Sequence, residues 1–333
     1  MRILAIESSC DDTAAAVLDG TELRSSIVAS QDDVHHRFGG VVPELASRSH
    51  IRAIVPVVRR ALEAAGTTLE GLDAVAATSG PGLVGSLLVG LSAAKAIAMA
   101  RALPFIGINH HEGHLLSILL ERQVEFPYLA LLVSGGDTSL YLARGLGDYE
   151  LLGATRDDAA GEAFDKAAKI LGLGYPGGRV IDRLSTEGDP TAVRFPRARL
   201  KQRPKTRRFD FSFSGLKTAL WQFSEEGGVG DIGLANIAAS YQEAIVDMLL
   251  ENTFAAADHV GCTRIVIAGG VSANSRLRNR AAETARQVGV DTFVPSLRFC
   301  TDNAAMIALA ARERFARGES SPLSLNADAA LEL

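Results

Sequence analysis

The chain has 333 residues, 47% of them hydrophobic and 22% charged; this composition excludes general disorder and exceeds what one ordinary core holds, so two domains are expected. Lys and Arg number 34 against 39 Asp and Glu, a net charge of −5, so no whole-chain basic field exists and any nucleic-acid surface must be local. Three cysteines, Cys10, Cys262 and Cys300, are too far apart for a metal-spaced pair, and an odd count without a framework predicts a reducing, cytoplasmic compartment.

From the start of the chain, Met1 to Ile6 is apolar for too few residues before Glu7 to form a secretory leader, and a first strand is predicted over Arg2–Ile6. Further apolar strands are predicted over Ala14–Leu18, Ala74–Thr78, Phe105–Ile108, Tyr128–Val133, Ser139–Ala143, Arg264–Ala268 and Asp291–Val294. Helical periodicity covers Ala46–Ala65, Leu83–Ala102, Glu112–Glu121, Gly161–Leu171, Ile237–Ala257, Ser275–Val288 and Asp302–Arg317. The run Leu83–Ala102 has the length of a membrane span. It follows the Gly-rich turn Thr78–Gly82 and carries Ser86, Ser92 and Lys95, which predicts a buried helix instead. Strands alternating with helices predict α/β layers with functional groups at strand ends.

Two segments echo each other. Ile6 to Val17 reads I-E-S-S-C-D-D-T-A-A-A-V, and Leu132 to Leu142 reads L-V-S-G-G-D-T-S-L-Y-L. In each, an apolar strand ends in Ser, a tight polar turn follows, and Asp-Thr opens a second apolar strand, the pattern of a duplicated lobe. Small residues in such turns let successive backbone N–H groups approach phosphate oxygens. A third Gly-rich turn, Gly269–Asn274, joins a strand to a helix N-terminus, a ready anion or ribose site. Neither a G-x-G-x-x-G nor a Walker motif occurs.

His110 and His114 are four residues apart at a predicted helix start, so they share a face and can chelate one ion. Asp302, at another predicted helix start, is the best carboxylate to complete the set, with an N-cap as its purely structural alternative. Two His and one Asp with open positions suit Fe(II), with Zn or Mn as competitors. A zinc-protease reading fails on spacing: His111 follows His110 where H-E-x-x-H requires Glu, and His111-Glu112-Gly113-His114 is too short.

Taken together, these blocks resemble the tRNA threonylcarbamoyladenosine transferase family, once called O-sialoglycoprotein endopeptidases. The resemblance runs through Glu7–Thr13, Gly39–Arg48, Asn109–His114, Asp157–Lys166, Tyr175–Gly178, Phe211–Lys217, Gly269–Asn274 and Cys300–Asn303, nearly the whole chain. It implies an α/β fold of two duplicated, ribonuclease H-like lobes of the actin/Hsp70/sugar-kinase superfamily, with a cleft between them. The first lobe would span 1–110, completed by helices at about 303–333. The second would span 111–302 and carry a basic loop at 194–208.

By position, the resemblance makes His110, His114 and Asp302 metal ligands. It makes Val133, Ser134, Gly135, Gly136, Asp137, Asp165, Gly178, Asp182 and Asn274 nucleotide or substrate contacts, and ties Asp11 to catalysis. Glu44 and Arg48 fall in a further block. One residue departs: the family turn reads S-G-G-H, whereas this chain has Asp137, and a carboxylate repels a phosphate where an imidazole donates to it.

The implied chemistry is transfer of a threonylcarbamoyl group from threonylcarbamoyl-AMP to N6 of the adenosine 3′ of the anticodon, in tRNAs reading codons that begin with A, with release of AMP. A catalytically silent paralogue and a small P-loop ATPase are the implied protein partners. The alternatives are a small-molecule carbamoyltransferase or kinase of the same superfamily, and a non-catalytic scaffold, which would need no metal ligands. Between Arg194 and Arg208 lies a run of Arg and Lys without an acid, and Pro196 and Pro204 disfavour a regular helix there. A loop that meets tRNA phosphates is expected.

Overall fold

The computed structural model describes residues 1–198, 200 and 209–333. Of the basic run, only Arg194 and Arg197 among its cations are described; the rest of that expectation lies outside the described residues. The chain forms two units, Met1–Gln123 together with Asp302–Leu333, and Val124–Thr301.

The first unit is built on strands β1 (Arg2–Glu7), β2 (Asp12–Asp19), β3 (Glu22–Ser30), β4 (Ala74–Gly80) and β5 (Phe105–Asn109), in the order β3-β2-β1-β4-β5. Its helices are α1 (Asp32–His35), α2 (Pro43–Ala64), α3 (Val84–Arg101), α4 (His110–Leu116) and, from the end of the chain, α11 (Ala304–Ala316). The second unit has β6 (Tyr128–Val133), β7 (Thr138–Gly145), β8 (Asp148–Ala154), β9 (Arg264–Ala268) and β10 (Asp291–Phe293), in the order β10-β9-β6-β7-β8. Its helices are α5 (Ala160–Ile170), α6 (Gly177–Ser185), α7 (Ser214–Glu225), α8 (Gly228–Ile232), α9 (Leu234–Val260) and α10 (Ser275–Val288).

The sequence echo is a structural repeat. β1 pairs antiparallel with β2 and parallel with β4, β2 pairs antiparallel with β3, and β4 pairs parallel with β5. β6 stands in the same relations to β7 and β9, β7 to β8, and β9 to β10. The central strands are buried on both faces, Ile3–Ile6 and Tyr128–Val133 without exception, because helices cover both sides. In each unit the loops that carry candidate residues leave the ends of the paired central strands, where α/β sheets place ligands.

The division expected after residue 110 lies further along, between Gln123 and Val124. The reason is packing within the first unit. Gly113 of α4 leaves room for α11, since a Cβ there would meet Ile307 Cδ1 at 2.9 Å and Met306 Cγ at 3.0 Å. Buried Glu112 also accepts two bonds from Arg314, at 2.7 and 2.9 Å.

Helix α3 is long and apolar enough to cross a membrane. It buries Ser86, Leu87, Gly90, Leu91, Ala94 and Ala98, while Val84, Leu88 and Met99 remain exposed. The expected burial therefore holds for one face only.

Candidate metal centre and nucleotide-facing turns

The metal candidates are brought together within the first unit. β5 ends in Asn109, whose side-chain oxygen accepts the N–H groups of His111 and Glu112 at 2.8 and 3.4 Å and so starts α4 at His110. His110 and His114 then sit one turn apart, their rings edge to face with centroids 4.7 Å apart. At the other helix, the cap is Asn303, which accepts the Met306 N–H at 3.0 Å. Asp302 is thus outside the helix and its carboxylate is not spent as an N-cap.

Asp302 Oδ1 lies 3.1 Å from His114 Nε2 and 3.5 Å from His110 Nε2. One ligand atom from each of the three side chains falls within 4.8 Å of the other two. Behind His110 stands Glu7, fully buried, with Oε2 3.0 Å from His110 Nδ1 and accepting the Thr78 hydroxyl at 2.6 Å. Ser9 Oγ is also 3.2 Å from that Nδ1. Sequence reasoning read Glu7 only as part of the hairpin block. The signal for more was an acid where an otherwise apolar buried strand meets a turn.

The electrostatics follow from this geometry. Burial opposes a charge on His110, but the carboxylates of Asp302 and Glu7 prevail and hold its pKa well above the ordinary imidazole range. Burial would raise Asp302, yet His110 and His114 hold it well below the usual carboxylate range. His111, off the ligand face, is pushed down to about 3 by burial and by its two histidine neighbours, so it stays neutral.

These atoms fit a divalent ion. A divalent ion would take the place of the Nε2 proton of His110: with the Nδ1 proton kept on Glu7, the freed Nε2 lone pair and the Asp302 oxygen 3.5 Å away would both face it. His114 Nδ1, buried, finds no hydrogen-bond partner among the described residues, while its Nε2 lies 3.1 Å from Asp302 Oδ1.

Asp11 lies in the β1–β2 turn, half-buried. Burial first, and then the charge of Asp302, raise its pKa against the opposing bond from Cys10. The neighbouring Asp12 is pushed up to about 7 by burial, Asp302 and Asp11. Glu44 and Arg48 pair with each other at 2.6 Å on the exposed side of α2.

The nucleotide candidates all lie in the second unit. The β6–β7 turn is backed closely by two glycines. A Cβ on Gly161 would meet Ser134 O at 2.5 Å, and one on Gly269 would meet Val133 O at 2.3 Å. Gly161 N–H also donates to Ser134 O at 3.1 Å. Within the turn, the N–H groups of Gly136 and Asp137 donate to Ser134 Oγ at 3.3 and 2.9 Å, so two of the expected phosphate donors are turned inward onto the serine. Asp137 Oδ1 accepts the Ser139 hydroxyl at 2.8 Å.

Asp165 accepts the Gly177 N–H at 2.8 Å and pins the start of α6, where Gly178 is the second residue. Asp182 accepts the Ser275 hydroxyl at 2.8 Å and its N–H at 3.1 Å, at the start of α10. Asn274 is the cap of that helix: its Oδ1 accepts Leu277 N–H at 2.9 Å and its Nδ2 donates to Gln242 at 2.6 Å. The structure therefore groups Val133–Asp137 with Gly161 and Gly269, and Asp182 with Asn274. It gives Asp165, Asp182 and Asn274 clear bracing contacts.

The family described as tRNA N6-adenosine threonylcarbamoyltransferase matches residues 22–309. Proteins of that description from Anaeromyxobacter sp. (strain Fw109-5) and Syntrophus aciditrophicus (strain SB) are similar to this chain. The first is 57% identical over 100% of both chains, the second 53% identical over 98% of this chain and 96% of its own. Among solved structures, full-length HypF in its phosphate- and nucleotide-bound form is similar with a TM-score of 0.66 and 14% identity, over 94% of this chain and 55% of its own. Component A of (R)-2-hydroxyglutaryl-CoA dehydratase from Acidaminococcus fermentans gives a TM-score of 0.58 at 15% identity, over 95% and 99% of the two chains. At such identities the two structures speak for the fold alone.

Proposed function

Because the chain belongs to the tRNA N6-adenosine threonylcarbamoyltransferase family, we propose that its donor is threonylcarbamoyl-AMP and that it works with a divalent metal, Fe(II) before Zn or Mn, at His110, His114 and Asp302. The reaction is transfer of a threonylcarbamoyl group to N6 of an adenosine in tRNA. The adenosine is the one 3′ of the anticodon in tRNAs reading codons that begin with A. The site of action is the cytoplasm, and the protein partners are a silent paralogue and a small P-loop ATPase.

The observation that carries the metal reading is the convergence of two imidazole Nε2 atoms on one Asp302 oxygen, with Glu7 fixing the far nitrogen of His110. A divalent ion there would supply positive charge to a developing oxyanion. The chain's own residues do the rest. Glu7, Thr78 and Ser9 set the orientation of the His110 ring. In the second unit, Gly161 and Gly269 hold the β6–β7 turn where small residues allow a phosphate to approach.

In the chemical step the N6 amine attacks the carbonyl of the mixed anhydride, a C–N bond forms, and the bond to the phosphate oxygen breaks as AMP departs. An aromatic amine is a poor nucleophile, so positioning carries much of the rate. Asp11, whose proton affinity burial raises, is suited to take the proton that N6 sheds.

The test is reconstitution from purified parts. Threonylcarbamoyl-AMP, tRNA, the partner proteins and the chain should together give modified tRNA and stoichiometric AMP, and elemental analysis of chain purified without added metal or chelator should identify the ion. Modification that survives complete metal removal would reject the metal reading.

For Asp137, replacement by His removes a carboxylate and adds a possible phosphate donor, so AMP affinity should be equal or tighter in Asp137→His. Calorimetry showing a loss above about tenfold, roughly 1.4 kcal/mol, would assign Asp137 a favourable contact.

The basic run gives a further expectation. Neutralising Arg203, Lys205, Arg207 and Arg208 together should weaken tRNA binding and flatten its salt dependence, because fewer counterions are released. AMP binding should hardly change. The measurement is tRNA titration at several salt concentrations with partners present, and equal slopes for wild type and variant would move tRNA recognition elsewhere.

A further inference from the structure

The nucleotide turn Gly269–Asn274 and the segment that delivers Asp302 are joined by one side chain. Arg278, half-buried on α10, donates from Nε to Ser272 O at 2.7 Å. Its Nη2 donates to Pro295 O at 2.7 Å and lies 3.0 Å from Cys300 Sγ. The Cys300 thiol, fully buried, faces the carbonyls of Pro295 and Ser296 at 3.5 and 3.4 Å, so the 295–300 segment is closed on itself and stapled to α10. Two residues later comes Asp302, and the next residue, Asn303, is locked as the cap of α11. Asp302 is therefore held on both sides in sequence, by the guanidinium staple upstream and by the cap downstream.

We propose that Arg278 is a positioning residue that couples nucleotide binding to metal affinity. The inference rests on the metal and nucleotide readings given above. A planar fork with donors in fixed directions can hold Ser272 O and Pro295 O at once, which a point-charge ammonium cannot. A ligand that draws the Gly269–Asn274 turn towards its phosphate or ribose pulls on Ser272, and the pull reaches the segment that orients Asp302. By linkage the effect is reciprocal: AMP tightens metal binding by the same factor that metal tightens AMP binding.

The experiment uses the full chain, with Co(II) as the metal probe, followed by its visible absorbance, and AMP followed by calorimetry, each titrated with and without the other. For wild type, AMP should tighten Co(II) binding about fivefold or more, the lower end of ordinary coupling. Arg278→Lys, which keeps the charge and the fold, should bring that factor to within about twofold of unity. Arg278→Met should do the same and also weaken Co(II) about tenfold, the scale of losing an outer support of a metal ligand.

Variants that melt earlier yet keep wild-type coupling would make Arg278 a structural residue only and overturn the inference. If Arg278→Met does not fold, Arg278→Lys decides alone. Wild type that binds both ligands with no mutual effect overturns the inference while leaving both sites standing. Wild type that takes up no Co(II), or no AMP, overturns the corresponding site reading and this inference with it.

Discussion

Asp302→Ala should leave a folded chain that holds less than about a tenth of the wild-type metal and transfers about a thousandfold more slowly, a loss near 4 kcal/mol in the barrier. The fold should survive because Asp302 caps nothing; Asn303 does that work for α11. The variant also leaves His110 beside Glu7 without its second carboxylate. Asn303→Ala is the informative companion. It removes a helix cap worth about 1 kcal/mol but no ligand, so its melting temperature should drop while metal is retained. Elemental analysis and thermal melts on both variants separate the two roles. Unchanged metal content in Asp302→Ala would remove Asp302 from the ligand set.

Gly269→Ala should destabilise the second unit by about 3 kcal/mol. Two costs add. Gly269 has φ of +90°, a conformation that costs an L-residue about 1–2 kcal/mol. The new methyl would also sit 2.3 Å from Val133 O, and relieving such an overlap costs about 1–3 kcal/mol. For a unit of this size the melting temperature should fall by roughly 6–12 °C. Because Val133 leads directly into the Ser134–Asp137 turn, AMP affinity should fall as well, by about tenfold, or 1.4 kcal/mol. A melting shift under about 2 °C would mean that the turn is not pressed against Gly269 in solution.

The sequence made the interior of this fold legible and its rims obscure. Each expected strand corresponds to an observed one, and all but β10 (Asp291-Thr292-Phe293) are apolar over most of their length. Those missed, β3 and β8, each lie at one edge of their sheet; the strands at the opposite edges, β5 and β10, were expected. Glu22–Ser30 is mostly polar, with Ser25-Ser26 at its centre, because much of an edge strand faces water. In β8, Gly153 takes the place of a side chain because Phe209 O would lie 2.1 Å from its Cβ, a long-range constraint that no local pattern encodes. Helices α1, α6, α7 and α8 were also not read; Gly opens α6 and α8 and is the second residue of α7, a turn signal when read locally.

At the site, the i,i+4 histidines could be read directly, since their pairing depends only on helix geometry. The role of Glu7 could not, because it depends on β1 and α4 meeting through β4 and β5, which brings Thr78 and His110 to one carboxylate. Nor could sequence decide between Asp302 and Asn303 as the cap, since both residue types serve and they are adjacent. The Ser134–Asp137 segment was legible as a turn, but not the inward bonds from Gly136 and Asp137 to Ser134, which depend on one serine rotamer.

The first unit is discontinuous, closed by a return of the chain after the second unit is complete, and this sets an order of events on the ribosome. His110 and His114 leave the exit tunnel about 190 residues before Asp302, roughly ten to forty seconds earlier at ordinary elongation rates. During that interval β1, β2 and β5 lack α11, the helix that covers them, and the two histidines lack the Asp302 carboxylate that both approach in the finished fold. The second unit can therefore finish folding co-translationally while the first waits. A nascent chain that ends just short of residue 302 would carry the whole second unit, Val124–Thr301, and a first unit without Asp302 or α11.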